Sequence, residues 1–327
     1  MKSFIKINKI LLDTTVLFAL GLSGTALANS NFPNKNLTPI GAERGANGTG
    51  TIPEWTGGLT RPPKGYTEGG YHPDPFQDDD IKFTISEKNL SDHRAKLTEL
   101  QKALLTKYPD EFVINVFPTR RSCAYPEFIY EATAKNAKTA KVIDQGYGFS
   151  GASAGFPFPQ PKSAFEVLFN HETSYFGLSY SAKITGGTMN PDGTFTRTVR
   201  RDRRLAFYHQ PDYSSAELDN RYFVWRAEWT DPPLAKGQAF SATNTINQVK
   251  QPRFGFMWNP DTQRVITAPY SAYSYTAPMM TSQGMRISDD MFLFNGAPDQ
   301  YDWKLVGKKE IYIPYNSYAA TSSNLKL

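Results

Sequence analysis

The feature that most constrains the fold of this chain is a change in the spacing of its apolar residues at Ser174. From there on, apolar side chains recur at every second position, first over 176–184 and again over 223–229 and 254–258. A period of two places alternate side chains on opposite faces of a strand, so each segment is predicted to be half-buried in a sheet. An Asn-Pro-Asp-Gly turn at 190–193 predicts that consecutive strands pair antiparallel.

Helical spacing dominates the part of the chain before Ser174. Four leucines share one face of a helix predicted over 86–108, and a second helix is predicted over 126–143, where a proline occupies the first turn. A third helix is predicted over 163–171, because Ser163 and the glutamate three residues later form a capping box. Helices followed by a run of antiparallel strands indicate an α+β fold.

Residues 29–85 are rich in Gly and Pro and keep no hydrophobic period, so they are predicted to form an extended N-terminal arm. Disorder is the alternative interpretation of such a composition. Regularly spaced aromatic residues favour an ordered arm, because each can pin the segment to the folded part; they are Trp55, Tyr66, Tyr71 and Phe76. Residues 86–327 are then expected to form a single domain.

The first 28 residues have the pattern of a secretory signal peptide. Three lysines precede an apolar run over 10–22, which only Asp13 interrupts, and Ala26-Leu27-Ala28 provides a small-residue cleavage site. The apolar run is too short to span a bilayer, and no later run is long enough to do so as a helix. The mature protein is therefore expected in the periplasm, cleaved after Ala28 and without a transmembrane span.

Export and composition limit the partners of the mature chain. Loss of three Lys and one Asp with the signal peptide lowers the net charge from +5 to +3, and an exported protein does not meet nucleic acid. The single cysteine, Cys123, cannot form an internal disulfide. The fold is therefore expected to depend on its apolar core alone.

Motifs for catalysis are weak in this sequence. None of the four histidines lies at metal-ligand spacing from another, and the acidic run over 74–80 lacks the pattern of a calcium loop. Gly-Phe-Ser-Gly-Ala at 148–152 lacks the final glycine of a nucleophile elbow. The sequence therefore predicts no enzyme activity, no catalytic residue, no metal and no cofactor.

The alternating strands suggest two interpretations of their apolar faces. The simpler one is a sheet packed on its helices. The other is a curved sheet that leaves an apolar hollow for a greasy ligand. In that case the hollow is predicted to be lined by Phe176, Leu178, Tyr180, Phe223, Trp225, Trp229, Phe254, Phe256 and Trp258.

Five arginines lie close together in the second predicted strand. Strict alternation puts Arg197, Arg201 and Arg203 on one side and the other two on the opposite side. A solvated strand face, protected against edge-to-edge aggregation, is the simpler interpretation. The functional hypothesis is that these three bind a carboxylate or phosphate headgroup at the mouth of the hollow.

Four motifs resemble a family of exported proteins of Gram-negative bacteria that has no established function. They are LTPIGAERGANGTGTIPEWTGG at 37–58, FPTRRS followed by YEATAKNAKTAKV, GFPFPQPKSAFEVLFNH at 155–171, and FNGAPDQYDWKLVGKKEIYIPYNSY at the end. Members of this family are often labelled outer-membrane lipoprotein-sorting proteins. The resemblance implies a fold like that of LolA and LolB, a half-open antiparallel barrel covered by helices, with a hydrophobic cavity that holds acyl chains.

The last motif is predicted to contain a hairpin, with strands at 303–306 and 310–314 and a break at Gly307. Members of the family that the motifs resemble usually continue beyond this point into further strands. The chain is therefore expected to be a shortened member with an incomplete sheet.

These observations suggest two hypotheses for function. The first is a periplasmic, non-catalytic carrier for a lipid, a lipoprotein acyl chain or another hydrophobic ligand, working at the outer membrane with an envelope transporter or an outer-membrane protein as partner. The alternative is a structural or adhesive protein associated with the inner face of the outer membrane, whose aromatic side chains form a protein interface.

Overall fold

A computed structural model describes residues 32–189, 192, 194–268, 287, 289 and 292–318 of the chain. The strands of the described part are β1 (Phe83–Ile85), β2 (Ile114–Val116), β3 (Lys141–Ile143), β4 (Gly148–Ser150), β5 (Ser179–Met189), β6 (Phe195–Ala206), β7 (Arg221–Asp231), β8 (Ala239–Thr245), β9 (Phe254–Asn259) and β10 (Arg264–Thr267). Strands β1 and β2 pair with each other, as do β3 and β4.

The other six strands form one antiparallel sheet in the order β10-β9-β8-β7-β6-β5. Each strand pairs with its neighbour in sequence, which is the meander that the alternating pattern predicts. Within the described residues the sheet does not close, so β5 and β10 are its two edges. Three of the four residues of the predicted turn at 190–193 lie outside the described residues.

Helices of the described part are α1 (Leu90–His93), α2 (Glu99–Lys107), α3 (Glu127–Thr139) and α4 (Ala164–Glu172). The helix predicted over 86–108 is interrupted, because a second capping box starts a new helix at Thr98. The Thr98 hydroxyl accepts from the Gln101 main-chain N–H at 3.3 Å, and Gln101 Oε1 accepts from the Thr98 N–H at 2.9 Å. Leu97 takes an extended conformation at the break.

The two later helices lie close to their predicted positions. Helix α3 ends at Thr139, earlier than predicted, because residues 141–143 leave the helix and pair as β3. Helix α4 begins after Ser163, whose hydroxyl accepts from the Glu166 N–H at 3.3 Å. No helix among the described residues is long and apolar enough to cross a membrane.

Three apolar clusters hold these elements together. The first joins α4 and β4 to the residues around β7 through Phe149, Phe169 and Tyr208, all of which are buried. A second covers part of the six-stranded sheet and includes Trp229 and Phe240. The third cluster consists of Ile85, Leu97 and Leu105, the last of which belongs to α2, and Tyr312 packs against it.

The arm runs as turns and extended segments that hydrogen-bond to the residues before α3. The Trp55 indole N–H donates to the Cys123 carbonyl at 2.9 Å, and the Leu59 N–H donates to the Ser122 carbonyl at 2.9 Å. Of the four aromatic residues predicted to pin the arm, Trp55 therefore makes a specific contact, whereas Tyr71 is 65% exposed.

The hairpin predicted at 303–306 and 310–314 is wrong, since no strand is present in either segment. Gly307 has a φ of +125°, and the residues after it bind distant parts of the protein, since Lys308 forms an ion pair with Glu43. Tyr312 donates its N–H to the Lys96 carbonyl at 2.9 Å and accepts from Gln101 Nε2 at 3.0 Å. The segment thus closes over the first helices.

Candidate ligand-binding site on the six-stranded sheet

Cross-strand register divides the side chains of the six-stranded sheet between two faces. Residues paired across an antiparallel ladder lie on the same face, and Asp202 pairs with Ala227, which in turn pairs with Phe240. All three are buried, so we call this face the inner face. On β6, β7 and β8 it includes Arg200, Asp202, Arg204, Ala206, Phe223, Trp225, Ala227, Trp229, Phe240, Ala242 and Asn244.

The opposite face, which we call the outer face, carries two kinds of side chain. Its β5–β7 half is basic, because Lys183 pairs with Arg201 and Arg203 pairs with Arg226. Its β9–β10 half is apolar, and the exposed residues there are Phe254, Phe256, Trp258 and Val265.

The nine predicted lining residues do not form a single surface. Phe223, Trp225 and Trp229 lie on the inner face, and Tyr180 joins them because it pairs with Arg204. Leu178 and Phe176 lie just before β5, two and four positions before Tyr180 respectively. Six of the nine therefore lie on or next to the inner face.

The remaining three, Phe254, Phe256 and Trp258, belong to the outer face. They pair with polar or small residues of β8, since Phe256 lies opposite Ser241 and Trp258 opposite Ala239. They are between 37% and 45% exposed. Alternation correctly groups these three aromatics on one face of β9. The register between β8 and β9, however, places them on the other face of the sheet from Trp225.

The three predicted headgroup arginines lie away from the inner face. Arg201 and Arg203 are exposed on the outer face. Arg197 is also exposed, and its Nη1 forms an ion pair with Asp231 Oδ2 at 3.3 Å. None of them contacts the six aromatic and aliphatic residues of the inner face.

A charged stripe instead crosses the inner face along β6. Arg200, Asp202 and Arg204 occupy alternate positions of the strand after a register shift at Val199. Arg200 Nε lies 2.7 Å from Asp202 Oδ1 and its Nη2 lies 3.2 Å from Oδ2, so the pair is bidentate. The Trp225 indole N–H donates to the same carboxylate at 3.1 Å. The Asp202 carboxylate is thus bound by one guanidinium and one indole. Arg204 is the residue of this stripe that the sequence prediction missed.

A second polar cluster lies at the end of α4. Burial raises the pKa of Glu172 to about 8, although Arg253 opposes this shift; Asp289 reinforces it. Burial also lowers the pKa of Arg253 to about 10, against the attraction of the two carboxylates. Arg253 Nε donates to Asn244 Oδ1, which ties the cluster to β8. Glu172 is thus expected to hold a proton at neutral pH, which is a property that the sequence did not reveal.

Two concavities in the described part of the chain border Phe149 of β4. The smaller lies beside Glu172 and Tyr222, and its volume of about 10 Å³ has room for about one water molecule. The larger is a surface cleft of about 290 Å³ that includes Asp144, Ser150 and Lys250. Neither is lined by any of the predicted ligand-binding residues.

Side chains that ligate metals do not gather in the described part of the chain. No group of three or more His, Cys, Asp or Glu residues lies close enough together there to hold an ion. Cys123 is exposed, with its Sγ 3.4 Å from the Tyr315 hydroxyl. The six-stranded sheet presents apolar surface and arginine side chains, which are suited to contact apolar and anionic groups.

Comparison with known proteins shows what this chain is similar to. A crystal structure described as an outer membrane lipoprotein-sorting protein domain from Vibrio parahaemolyticus is 14% identical, with a TM-score of 0.29 over 38% of this chain and 46% of that one. An uncharacterized protein of Pseudomonas aeruginosa is 37% identical over 327 residues, which cover 98% of this chain and 71% of that protein. Residues 84–327 match the DUF1329 family, described as proteins of unknown function. The chain therefore belongs to the DUF1329 family.

Proposed function

We propose that this protein is a non-catalytic carrier of the bacterial envelope, which binds a lipid or another hydrophobic ligand on the inner face near β5. The observation that supports the proposal is the open edge of this face. Tyr180, Ala182 and Ile184 turn their side chains to the inner face but stay partly exposed, whereas Ala227 and Ala242 further along the sheet are buried. Apolar surface left accessible beside a buried apolar face is suited to an acyl chain.

The proposal has a structural and a cellular part. We propose that the open sheet is a half-open barrel of the LolA and LolB kind and that its inner face takes up the ligand by burial alone. Each methylene group removed from water contributes about 0.8 kcal/mol, so an acyl chain needs no specific polar contact to be held. The carrier acts in the periplasm after cleavage behind Ala28 and exchanges its ligand with an envelope transporter or an outer-membrane protein.

Replacing Ile184 with Asn is expected to weaken ligand binding roughly tenfold, because burial of an Ile side chain contributes about 1.5–3 kcal/mol, and about 1.4 kcal/mol is a factor of ten. The measurement is titration of the purified protein with the neutral fluorescent probe N-phenyl-1-naphthylamine. Lys183→Asn is the matched control, because Lys183 is its neighbour on β5 but faces outward.

Native mass spectrometry of the protein recovered from the periplasm complements this titration. We expect a bound mass that is released on denaturation and identified as a lipid. A protein that carries nothing and does not bind the probe contradicts the proposal, as does an equal loss of binding in both β5 variants.

The aromatic half of the outer face favours a second candidate function, that of a structural or adhesive protein of the envelope. Phe254 and Phe256 are 42% and 45% exposed, and Val265 beside them on the edge strand is 63% exposed. Aromatic side chains are enriched in protein interfaces, so this half of the face is suited to contact another envelope protein.

A photo-crosslinking residue at position 256 separates the two candidates. If the outer face is a protein interface, irradiation of living cells is expected to give a protein adduct from position 256 and none from position 183, which lies on the basic half of the same face. Absence of an adduct at 256 contradicts a protein interface on the aromatic half of the outer face.

A further inference from the structure

Arg204 is a buried cation in the middle of the inner face. Only 8% of the residue is exposed, and the strand register places it between Tyr180 on β5 and Trp225 on β7. It therefore lies next to the part of the inner face where the ligand of the proposed function binds.

Aromatic rings surround the Arg204 guanidinium. Its central carbon lies 4.2 Å from the centre of the Phe223 ring, 5.7 Å from that of Tyr222 and 5.9 Å from that of Phe176. Ring faces attract a guanidinium, and this attraction offsets part of the cost of removing it from water. The rings, however, accept few of the hydrogen bonds that its five N–H groups can donate.

Among the described residues, no carboxylate forms an ion pair with this guanidinium. The carboxylate of Asp202 on the same strand and face is already bound by Arg200 and by the Trp225 indole. Arg204 forms no ion pair with any residue that the structure describes, and its Nη1 is buried without a hydrogen-bond partner. Buried charges in proteins are normally paired, because an unpaired one is strongly destabilising.

A purely structural role does not account for this arrangement. Replacing a buried ion pair by apolar side chains often preserves or increases stability, so an unpaired arginine at this position has little to contribute to folding. The Trp229 indole N–H, also on the inner face, is a second buried donor without a partner. The Arg204 guanidinium hydrogen-bonds the Tyr222 hydroxyl, but its Nη1 and the Trp229 indole N–H both lack an acceptor, which is what the oxyanion of a ligand provides.

We infer that Arg204 is the headgroup site of the carrier and binds the oxyanion of an anionic amphiphile, either a carboxylate or a phosphate. This inference rests on the proposed function and specifies its ligand class. The guanidinium can bind either group bidentately, while the tail of the amphiphile lies along the apolar side chains of β5. Phe176, whose ring lies 5.9 Å from the guanidinium carbon, is 59% exposed, and we expect its displacement to give the headgroup access.

The test compares amphiphiles of one chain length that differ only in their head. Dodecanoate, dodecyl phosphate and dodecanol are titrated against the full chain by displacement of N-phenyl-1-naphthylamine. We expect the wild-type protein to bind at least one of the two anions roughly tenfold or more tightly than dodecanol, since a charge-assisted pair is stronger than a neutral contact. A preference for dodecanoate indicates a fatty acid, and a preference for dodecyl phosphate indicates a phospholipid.

Arg204→Met is expected to abolish this preference while leaving the affinity for dodecanol and for the neutral probe unchanged. Its melting temperature is expected to match or exceed that of the wild type, because an unpaired buried charge has been removed. Arg203→Met is the matched control, since Arg203 is adjacent on β6 but faces outward, and it should keep the full preference. Arg204→Lys keeps the positive charge and should retain part of the preference for the anionic amphiphile.

The outcomes separate this inference from the proposed function. Binding of the neutral probe and of all three amphiphiles without preference overturns the headgroup site and keeps the carrier. A preference that persists in Arg204→Met overturns it as well. If Arg204→Met does not fold, a full preference in Arg204→Gln overturns the inference, and a lost preference supports it. Failure to bind the probe or any amphiphile contradicts the carrier itself.

Discussion

Replacing Phe169 with Ala is expected to lower the free energy of unfolding by about 3–5 kcal/mol, which is the usual cost of removing a buried phenylalanine. Phe169 is 1% exposed. Its ring centre lies 5.1 Å from that of Phe149 on β4 and 6.4 Å from that of Phe158 in the preceding loop. The substitution thus leaves a cavity where three parts of the fold meet. Without a disulfide to limit the unfolded state, no covalent link offsets this loss.

Urea denaturation followed by circular dichroism measures the effect. Val167→Ala is the matched control on the same helix, because Val167 is 40% exposed and its truncation should change stability by at most about 0.5 kcal/mol. Equal midpoints for the two variants contradict the assignment of Phe169 to the core.

Glu172→Gln is expected to make the protein more stable than the wild type by a few kcal/mol at pH 8, and by much less at pH 5. Glu172 is only partly buried as a residue, but its Oε1 is fully buried. Burial raises the pKa of the folded protein's Glu172 from 4.5 to about 8. The folded state therefore binds the proton more tightly than the unfolded state, and the unfolding free energy falls as pH rises through this window.

Chemical denaturation of both proteins across this pH range tests the prediction. The difference between them should grow by up to roughly 1.4 kcal/mol per pH unit and level off near pH 8. Burial also lowers the pKa of His209 from 6.5 to about 4, so the wild type loses stability on acidification for a second reason. The Glu172→Gln variant shares this loss, and the difference between the two proteins therefore reports Glu172 alone. Parallel curves for the two proteins show that Glu172 titrates normally.

Local signals in the sequence predicted the elements that depend on neighbouring residues. The capping residue Ser163 marked the start of α4, and the period of two predicted the antiparallel sheet. The same kind of local signal was overlooked at Thr98, where a second capping box divides the predicted first helix. The hairpin at 303–314 failed for the opposite reason, because contacts with residues some two hundred positions away decide the conformation of that segment.

The candidate site was less predictable, because it depends on how strands align. Alternation separated Arg203 from Arg204 correctly, but both sides of β6 carry arginines, so polarity did not reveal the inner one. A signal was present in the continuation of the strand: Arg204 is in phase with Ala206 and Tyr208, and both are buried. The orientation of Trp258 relative to Trp225 had no such signal, since only the β8–β9 register determines it.

The contacts of the segment after Gly307 have a consequence for the order in which this protein folds. Gln101 and Tyr312, which hydrogen-bond to each other, are 211 positions apart, and Glu43 and Lys308, which form an ion pair, are 265 apart. During synthesis the arm and the first helices emerge before the six-stranded sheet, yet the cluster around Leu97 lacks Tyr312 until the chain has been made as far as that residue. Contacts of such long range form slowly, because a large loop must close first. The arm and the first helices are thus synthesised before the sheet but gain these contacts after it.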